Sequence, residues 1–287
     1  MKTLLLFCTL ITTTSSFSQL TFPALSPKGE IEQKTGFTDI TIDYERPAAR
    51  GRKVFGELVP YDKLWRTGAG NCTKIRFSKS VKISNQRIDK GTYSIFSIPK
   101  TTEWTIIFNR DTTLYGTASY DKTKNVFQFN VKNQLTNRYY ESLTIDIDVI
   151  PNNARIYLSW ENTQVSFDVM TETDKIVTDF IKSYLLTSKS KDSEEYAMAA
   201  DYYFYLNKSD DALHLINQAI TIRNDSWYYR LKIDILEKLG KYKEAITVAQ
   251  QVITVDQNRT AWDQKTKQES VQEYKNRIEI LKSKLIN

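Results

Sequence analysis

Residues 143–149 read Leu-Thr-Ile-Asp-Ile-Asp-Val, and residues 154–160 read Ala-Arg-Ile-Tyr-Leu-Ser-Trp. In both stretches apolar residues alternate with polar ones. Side chains on a β-strand point alternately to opposite faces, so this alternation is typical of a strand with one buried face. The turn-forming residues Pro151, Asn152 and Asn153 lie between the two stretches. The pattern therefore predicts two antiparallel strands joined by a tight turn.

The same alternation occurs on both sides of this hairpin. Residues 40–44, 75–77 and 127–131 precede it, and residues 165–169 follow it. Polar clusters at residues 84–86 and 161–163 are predicted to be turns between strands. All six prolines and eight of the nine glycines precede residue 152. About nine to eleven short antiparallel strands without intervening helices predict an antiparallel β-sandwich or a partly open barrel over residues 19–170.

From residue 171 onward, apolar residues recur every three or four positions, which is the period of a helix. Comparing this region with itself at an offset of 33 aligns Leu206 with Leu239 and Ala212 with Ala245. Residues 239–245, Leu-Gly-Lys-Tyr-Lys-Glu-Ala, resemble the core of the tetratricopeptide repeat, in which a glycine ends one helix and a small alanine lets the next approach. We expect an all-α, tetratricopeptide-like helical-repeat domain over residues 171–287. A generic helical bundle is the alternative, because only two copies of the pattern are recognisable.

The N-terminal segment, residues 1–18, predicts a secretory leader. It carries one charge, Lys2, then an apolar run, then a polar stretch with a small residue at Ser18. This order is typical of a signal peptide cleaved after Ser18, and it makes a periplasmic or secreted protein the expectation. A buried N-terminal helix is the alternative. Cys8 lies inside the apolar run, so cleavage leaves Cys72 as the single cysteine, which we expect to be buried as a small apolar residue.

Composition excludes several classes of protein. The 287 residues include 40% hydrophobic and 26% charged residues, which is enough apolar content for packed cores and rules out wholesale disorder. No apolar run after the leader reaches the ~18 residues of a membrane span. One cysteine in the mature chain excludes a disulfide scaffold and a multi-cysteine metal fold. Although the net charge is +6, export and the absence of a recognition motif argue against a nucleic-acid partner.

The most distinctive stretch is residues 46–73, which read RPAARGRKVFGELVPYDKLWRTGAGNCT, followed by GTYSIFSIP at 91–99 and WTIIFN at 104–109. These segments resemble a family of exported bacterial proteins, known as a domain of unknown function, that is common in Bacteroidota. Its marks are R-P-x-x-x-G-R, F-G-x-L-V-P-Y and W-R-T-G-A-N. The resemblance covers about residues 26–169 and implies no established activity. Where such proteins carry Asn after Gly-Ala, this chain has Gly70, followed by Asn71.

Basic residues are concentrated in this stretch. Between Arg46 and Arg66 there are six basic and two acidic residues, a local net charge of +4. Arginine forks pair with carboxylate or phosphate, aromatic rings stack on sugars, and glycine lets backbone N–H groups approach a ligand closely. The candidate residues for an anionic or carbohydrate-linked ligand are Arg46, Arg50, Arg52, Tyr61, Trp65, Arg66, Asn71 and Thr73. In the alternative, structural interpretation the arginines fix carbonyls and acids, and Trp65 closes one end of the sandwich.

The sequence gives little support for catalysis. The only histidine, His214, lies in the helical half, where a helix surface is its expected place. No histidine-based triad or metal site can be assembled in the strand domain, and no cofactor is expected. Asp146 and Asp148 share one face of a strand, but the isoleucines beside them face the other way, so a solvated face is expected.

The leading functional hypothesis is an exported binding or scaffold protein. Its sandwich loops would bind an anionic or glycan ligand, and its helical groove would hold a protein or peptide partner. The competing hypothesis is a carboxylate-dependent hydrolase that acts on polysaccharide.

Overall fold

A computed structural model describes residues 22–188 and 190–286 of the chain. They form two compact units, one ending at Thr173 and the other beginning at Asp174. The predicted signal peptide, residues 1–18, lies outside the described residues. Within the described ranges, no helix has the length and apolar character needed to cross a membrane.

The first unit is an all-β domain, as the alternation predicts. Nine strands are formed by its described residues: β1 Lys28–Thr35, β2 Thr38–Glu45, β3 Thr73–Phe77, β4 Val81–Ile83, β5 Gln86–Ile88, β6 Gly91–Pro99, β7 Glu103–Asn109, β8 Asn125–Ile150 and β9 Asn153–Thr171. They form one antiparallel sheet in the order β1-β2-β3-β6-β7-β8-β9-β4-β5.

The long strand β8 belongs to two layers of this sheet. Its residues 125–132 pair with β7, and its residues 133–150 pair with β9. Its second half returns over β2, where the hydroxyl of Tyr44 accepts the N–H of Ile145 at 3.0 Å. The N–H of Leu143 also donates to the carbonyl of Pro47 at 2.9 Å. The sheet thus folds over itself, and the predicted sandwich is confirmed.

One main core fills the space between the layers and takes its apolar side chains from eight of the nine strands, with β1 contributing only the half-buried Ile31. Strands β6 and β7 are apolar on their other face as well, where Phe96 and Ile107 pack with Cys72 and Leu114. Covered on both faces, these two strands are buried at consecutive positions, residues 93–97 and 106–109, rather than at alternate ones. The expected burial of Cys72 is confirmed, and burial raises the pKa of its thiol.

Two of the three predicted turns are confirmed, and one is wrong. Ser84 and Asn85 both have positive φ, as does Asn152, and these residues connect β4 to β5 and β8 to β9 as expected. The predicted turn at residues 161–163 is wrong, because β9 continues through it. Glu161 has a φ of +50°, and its carboxylate accepts the N–H of Val54 at 3.0 Å. This polar cluster therefore lies at an irregularity within a strand.

Six helices follow the strands in the described chain. Their bounds are α1 Thr173–Phe180, α2 Ser193–Tyr205, α3 Ser209–Ile222, α4 Ser226–Lys238, α5 Tyr242–Gln257 and α6 Gln264–Ser283, and α1 continues into a π-helical turn, Ile181–Leu185, and a last α-helical turn, Leu186–Ser188. The predicted all-α domain is confirmed. His214 is exposed on α3, as expected.

The predicted repeat is also confirmed. Helices α2 and α4 begin at Ser193 and Ser226, and α3 and α5 begin at Ser209 and Tyr242, so both pairs of helix starts keep the offset read from the sequence. Each first helix is capped by an aspartate side chain. Two residues after the end of each helix comes a residue with positive φ, Asn207 in one copy and Gly240 in the other, as is common where a helix terminates.

Candidate ligand-binding cleft

The first three candidate arginines are bound to the protein's own backbone. Arg46 donates to a carbonyl and a threonine hydroxyl of β8, at 3.2 and 3.1 Å. Arg50 donates to the carbonyl of Leu25 at 2.6 Å. Arg52 donates to two carbonyls of its own loop, both at 2.9 Å. These contacts fit the structural interpretation, in which the arginines hold the loop after β2 against neighbouring segments.

Trp65 and Thr73 face the interior. Trp65 is 8% exposed, and its ring centroid lies 5.9 Å from those of both Trp104 and Trp160. Its indole N–H donates to a backbone carbonyl of the following turn at 3.0 Å. Thr73 is fully buried and donates its hydroxyl to the carbonyl of Thr67 at 2.7 Å. Neither side chain presents a surface to a ligand in this structure.

Tyr61 and Arg66 are half-buried. The ring of Tyr61 packs against the main core and passes so close to Gly56 that a Cβ there would lie 3.0 Å from the ring. Arg66 differs from the other three candidate arginines, because its Nε is buried and has no hydrogen-bond partner among the described residues. Its aliphatic stem is therefore held inside while one polar atom stays unsatisfied.

Residues 67–71 form a turn that several contacts hold in a strained shape. Thr67 is fully buried with a φ of +56°, an uncommon conformation for a β-branched residue, and its hydroxyl lies 2.9 Å from that of Ser97. Gly70 has a φ of +52°, and a Cβ there would collide with the carboxylate of Glu45. That carboxylate accepts the backbone N–H and the side-chain amide of Asn71, at 3.2 and 2.9 Å. Strain held in this way often marks a functional segment.

A cleft of about 530 Å³ opens beside this turn. It lies along β1, β2 and the start of β3, on the outward face of the sheet. The polar side chains that line it are Lys28, Glu30, Asp43, Glu45, Asn71 and Lys74. We call this the β1–β3 cleft. Of the eight predicted site residues, the structure brings only Asn71 to it.

The pairing of β1, β2 and β3 places the charged side chains of the β1–β3 cleft next to one another. Lys28 lies opposite Glu45, and Asp43 has Glu30 on one side and Lys74 on the other. Side chains directly opposite each other have Cβ atoms ~4.5–5.5 Å apart. Even so, none of these five side chains forms an ion pair within 4.0 Å with any residue in the described ranges. Two ammonium groups and three carboxylates therefore stand side by side without engaging each other directly.

The other carboxylates that the sequence singles out lie on a solvated face. Asp146 and Asp148 are exposed on β8, while Ile145 and Ile147 face the core, as expected. No group of three or more histidine, cysteine, aspartate or glutamate side chains in the described part of the chain is placed to hold a metal ion.

The helical unit contains an apolar groove of about 330 Å³ between α1 and α2. Its lining includes Val177, Phe180, Ile181, Met198 and Tyr202. Phe180 is 48% exposed and Met198 56% exposed, which is unusual for such large apolar side chains. The groove lies beside the π-helical turn, a feature frequent at functional sites.

Comparison with protein families identifies the β domain. The family described as "Protein of unknown function (DUF2911)" matches residues 26–169, which is half of the chain. The chain belongs to the DUF2911 family. The resemblance to a domain of unknown function is thereby confirmed. Comparison with the curated proteins finds no match.

The DUF2911 domain places its cleft partly outside the distinctive stretch. Five of the six polar side chains around it, all except Asn71, come from β1, β2 and β3. The sequence does contain a signal for them, because charged residues occupy every second position on the outward faces of β1 and β2. These residues are Lys28 and Glu30 on β1 and Asp43 and Glu45 on β2. On its own, such alternation is also what any solvated strand face shows. Only the strand register and the turn at residues 67–71 bring these charges around one cleft.

Proposed function

We propose that this chain is an exported binding protein of the bacterial cell envelope whose DUF2911 domain binds a hydroxyl-rich ligand, a saccharide, in the β1–β3 cleft. The observation that carries the proposal is the set of five charged side chains that line the cleft without forming ion pairs among the described residues. Such groups have hydrogen-bonding capacity to offer a ligand.

The chemistry of the cleft suits hydroxyl groups. A carboxylate accepts a hydrogen bond from a hydroxyl, and an ammonium group donates one to it. Hydrogen bonds to charged groups are stronger than neutral ones. The side-chain amide of Asn71 already donates to Glu45, which leaves its carbonyl oxygen as a further acceptor toward the cleft.

The charge balance favours a neutral ligand over an anion. Lys28 and Lys74 are opposed by Glu30, Asp43 and Glu45, so the lining carries a net charge of −1. The arginines that suggested an anion, Arg46, Arg50 and Arg52, do not line this cleft.

The test is a saccharide array probed with labelled protein, followed by calorimetry on the sugars that bind. We expect Asp43→Asn and Lys74→Ala each to weaken binding about tenfold. The matched controls are Asp148→Asn and Lys82→Ala, which make the same changes at exposed positions away from the cleft. Failure of the wild-type protein to bind any sugar would overturn the proposal, and so would equal binding by the cleft and control variants.

A carboxylate-dependent hydrolase remains the alternative, because Glu30 and Asp43 face each other in the β1–β2 register within the cleft. Paired carboxylates are what glycoside hydrolysis uses. The assay is the release of reducing ends from the sugars that bind. We expect none. Release that is abolished by both Glu30→Gln and Asp43→Asn would replace the binding role with a catalytic one.

We further propose that the groove between α1 and α2 binds an amphipathic peptide. Its apolar lining suits one face of a helix, the flexible side chain of Met198 adapts to different partners, and Glu195 at the lining supplies a carboxylate for a basic residue of the peptide. Selection from a displayed peptide library should return sequences with helical apolar spacing and lysine or arginine.

The corresponding variant is Met198→Lys, which we expect to abolish binding of the selected peptides. Met170→Lys is its matched control, because Met170 is 43% exposed on β9. A library that returns no helical apolar pattern, or equal binding by both variants, would overturn this second proposal.

The resemblance to exported proteins and the leader-like residues 1–18 support a periplasmic or secreted location. Cell fractionation tests it. We expect the full chain outside the cytoplasm and a variant lacking residues 1–18 inside it.

A further inference from the structure

Two carboxylates of the β1–β3 cleft, those of Glu30 and Asp43, lie directly opposite each other. The two residues are paired in the β1–β2 register, and both are exposed on the outward face of the sheet. Like charges in such a pair destabilise a sheet, because their Cβ atoms are only ~4.5–5.5 Å apart. Neither carboxylate forms an ion pair within 4.0 Å in the part of the chain that the structure describes. No direct contact with a cation therefore offsets their repulsion.

The charge of the cleft is divided between its two sides. Side chains two positions apart on a strand share one face, and those opposite or diagonal across a strand pair are neighbours on it. The charged neighbours of Glu30 on this face are three carboxylates and one ammonium group: Glu32, Asp43, Glu45 and Lys28. On the other side of the cleft, Lys74 of β3 is paired with Asp43. The side formed by β1 and β2 is therefore acidic, and the side formed by β3 carries a cation.

A ligand that suits both sides carries an ammonium group and several hydroxyl groups. The ammonium group, placed between Glu30 and Asp43, donates charge-assisted hydrogen bonds to both and relieves their repulsion. The hydroxyls accept hydrogen bonds from the ammonium group of Lys74 and donate to the side-chain carbonyl oxygen of Asn71. The cleft volume of about 530 Å³ lies within the ~300–1,000 Å³ of small-molecule sites.

We propose that the saccharide bound in the β1–β3 cleft is an amino sugar, whose ammonium group lies between Glu30 and Asp43. This inference rests on the proposed saccharide-binding function and names the class of sugar. An N-acetylated sugar keeps the ring hydroxyls but lacks the positive charge, so it binds less tightly. A lysine peptide has the charge but lacks the hydroxyls to which Lys28 and Lys74 donate, so it also binds less tightly.

The experiment is calorimetry of the full chain with three probes. They are a β-1,4-linked disaccharide of glucosamine, the same disaccharide with both amino groups acetylated, and a capped dilysine peptide with the same two positive charges. The measurements are made at pH ~6, below the pKa of ~7.7–8.0 of an ordinary α-amino group, so that the amines are protonated. We expect the glucosamine disaccharide to bind about tenfold more tightly than either of the other probes. Added salt should narrow its advantage over the acetylated form.

Five variants locate the ammonium group. Glu30→Gln and Asp43→Asn should each remove most of the preference for the free amine. Lys74→Ala should weaken binding of both disaccharides and leave the preference in place, because Lys74 contacts hydroxyls. Glu32→Gln changes a carboxylate on the same face but outside the cleft lining, and it should lower the preference less than about threefold. Asp148→Asn, at an exposed position away from the cleft, should bind as the wild type does.

The two proposals for this cleft fail in different ways. Equal affinity for the free and acetylated disaccharides would overturn the preference for an amino sugar and leave the saccharide site standing. Equal losses for Glu32→Gln and Glu30→Gln, or dilysine binding as tight as that of the free disaccharide, would also overturn it, because general attraction of cations would then explain the result. If neither disaccharide binds and the array returns no sugar, the saccharide site itself is overturned.

Discussion

The carboxylate of Glu45, at the end of β2, accepts both the backbone N–H and the side-chain amide of Asn71 and lies over Gly70, where a Cβ would stand. This contact joins the turn at residues 67–71 to the wall of the β1–β3 cleft. Anything that displaces the carboxylate therefore alters the turn and the cleft together.

Gly70→Ala should consequently destabilise the protein for two reasons. The left-handed φ costs an alanine ~1–2 kcal/mol, and displacement of Glu45 adds the loss of its hydrogen bonds, ~1 kcal/mol or more. Gly116→Ala is the matched control, because Gly116 has a φ of +74° with nothing within 4 Å of a Cβ, so only the backbone cost applies. Urea denaturation measures both, and equal losses would contradict the role given to Glu45.

Substitutions of two candidate arginines, Arg46 and Arg66, should have different effects on the free energy of unfolding. Arg46→Ala removes two hydrogen bonds that tie the loop after β2 to β8, and we expect it to lower the free energy of unfolding by ~1–3 kcal/mol. Arg66→Met keeps most of the aliphatic stem and removes a buried, unpartnered Nε, so its stability should be unchanged or higher. A large loss for Arg66→Met would show that the guanidinium supports the fold.

The buried Asp256 should be essential to the helical unit. It is 1% exposed and accepts the hydroxyls of Ser226 at the start of α4 and Ser270 on α6. Asp256→Ala leaves both hydroxyls without an acceptor, at an expected cost of ~2–4 kcal/mol. Circular dichroism at the helical band during heating measures it. Asp201→Ala, at an exposed position on α2, should change stability by less than ~0.5 kcal/mol.

Acid should weaken the loop between β7 and β8. Hydrogen bonds from Lys124, whose Nζ lies at 2.7 Å, and from Thr113 lower the pKa of Asp111 from 3.8 to about 2. Because this pKa is lower in the folded state, its stabilisation is present above the unfolded value and is lost as the pH falls through the folded one. Denaturation midpoints measured from pH ~5 down to pH ~2 should fall less steeply for Asp111→Asn than for the wild type. Parallel curves would contradict the pairing.

The sequence predicts the fold well because most of the strand cores alternate and the helical repeat keeps its spacing. The pattern around Leu143 and Ile145 lies on β8 as expected, and the helices of the second repeat begin where the offset from the first places them. The turn predicted at residues 161–163 fails for a physical reason. A cluster of polar residues is typical of a turn, but it also occurs where polar side chains within a strand bind a distant segment. Here the carboxylate of Glu161 accepts the N–H of Val54.

The candidate site is predicted less well, because residue type does not say which way a side chain points. Trp65 has the ring that sugar binding needs, but it stacks in the core with Trp160. Arg50 and Arg52 have the fork that anions need, but they hold carbonyls. Asn71 lines the cleft because its neighbours are fixed by Glu45, a contact across 26 positions of the chain that no local pattern contains.

The shared strand β8 has a consequence for how the β domain opens. One continuous strand, β8, forms backbone hydrogen bonds with β7 in one layer and with β9 in the other. If β8 leaves either layer, the other layer therefore loses its pairing partner as well. Backbone amides on β7 and on β9 should therefore exchange their hydrogens in a single cooperative event. Residues 136–139 of β8 stand opposite one residue of β9, and we expect a protease that cuts this exposed segment to uncouple the two layers.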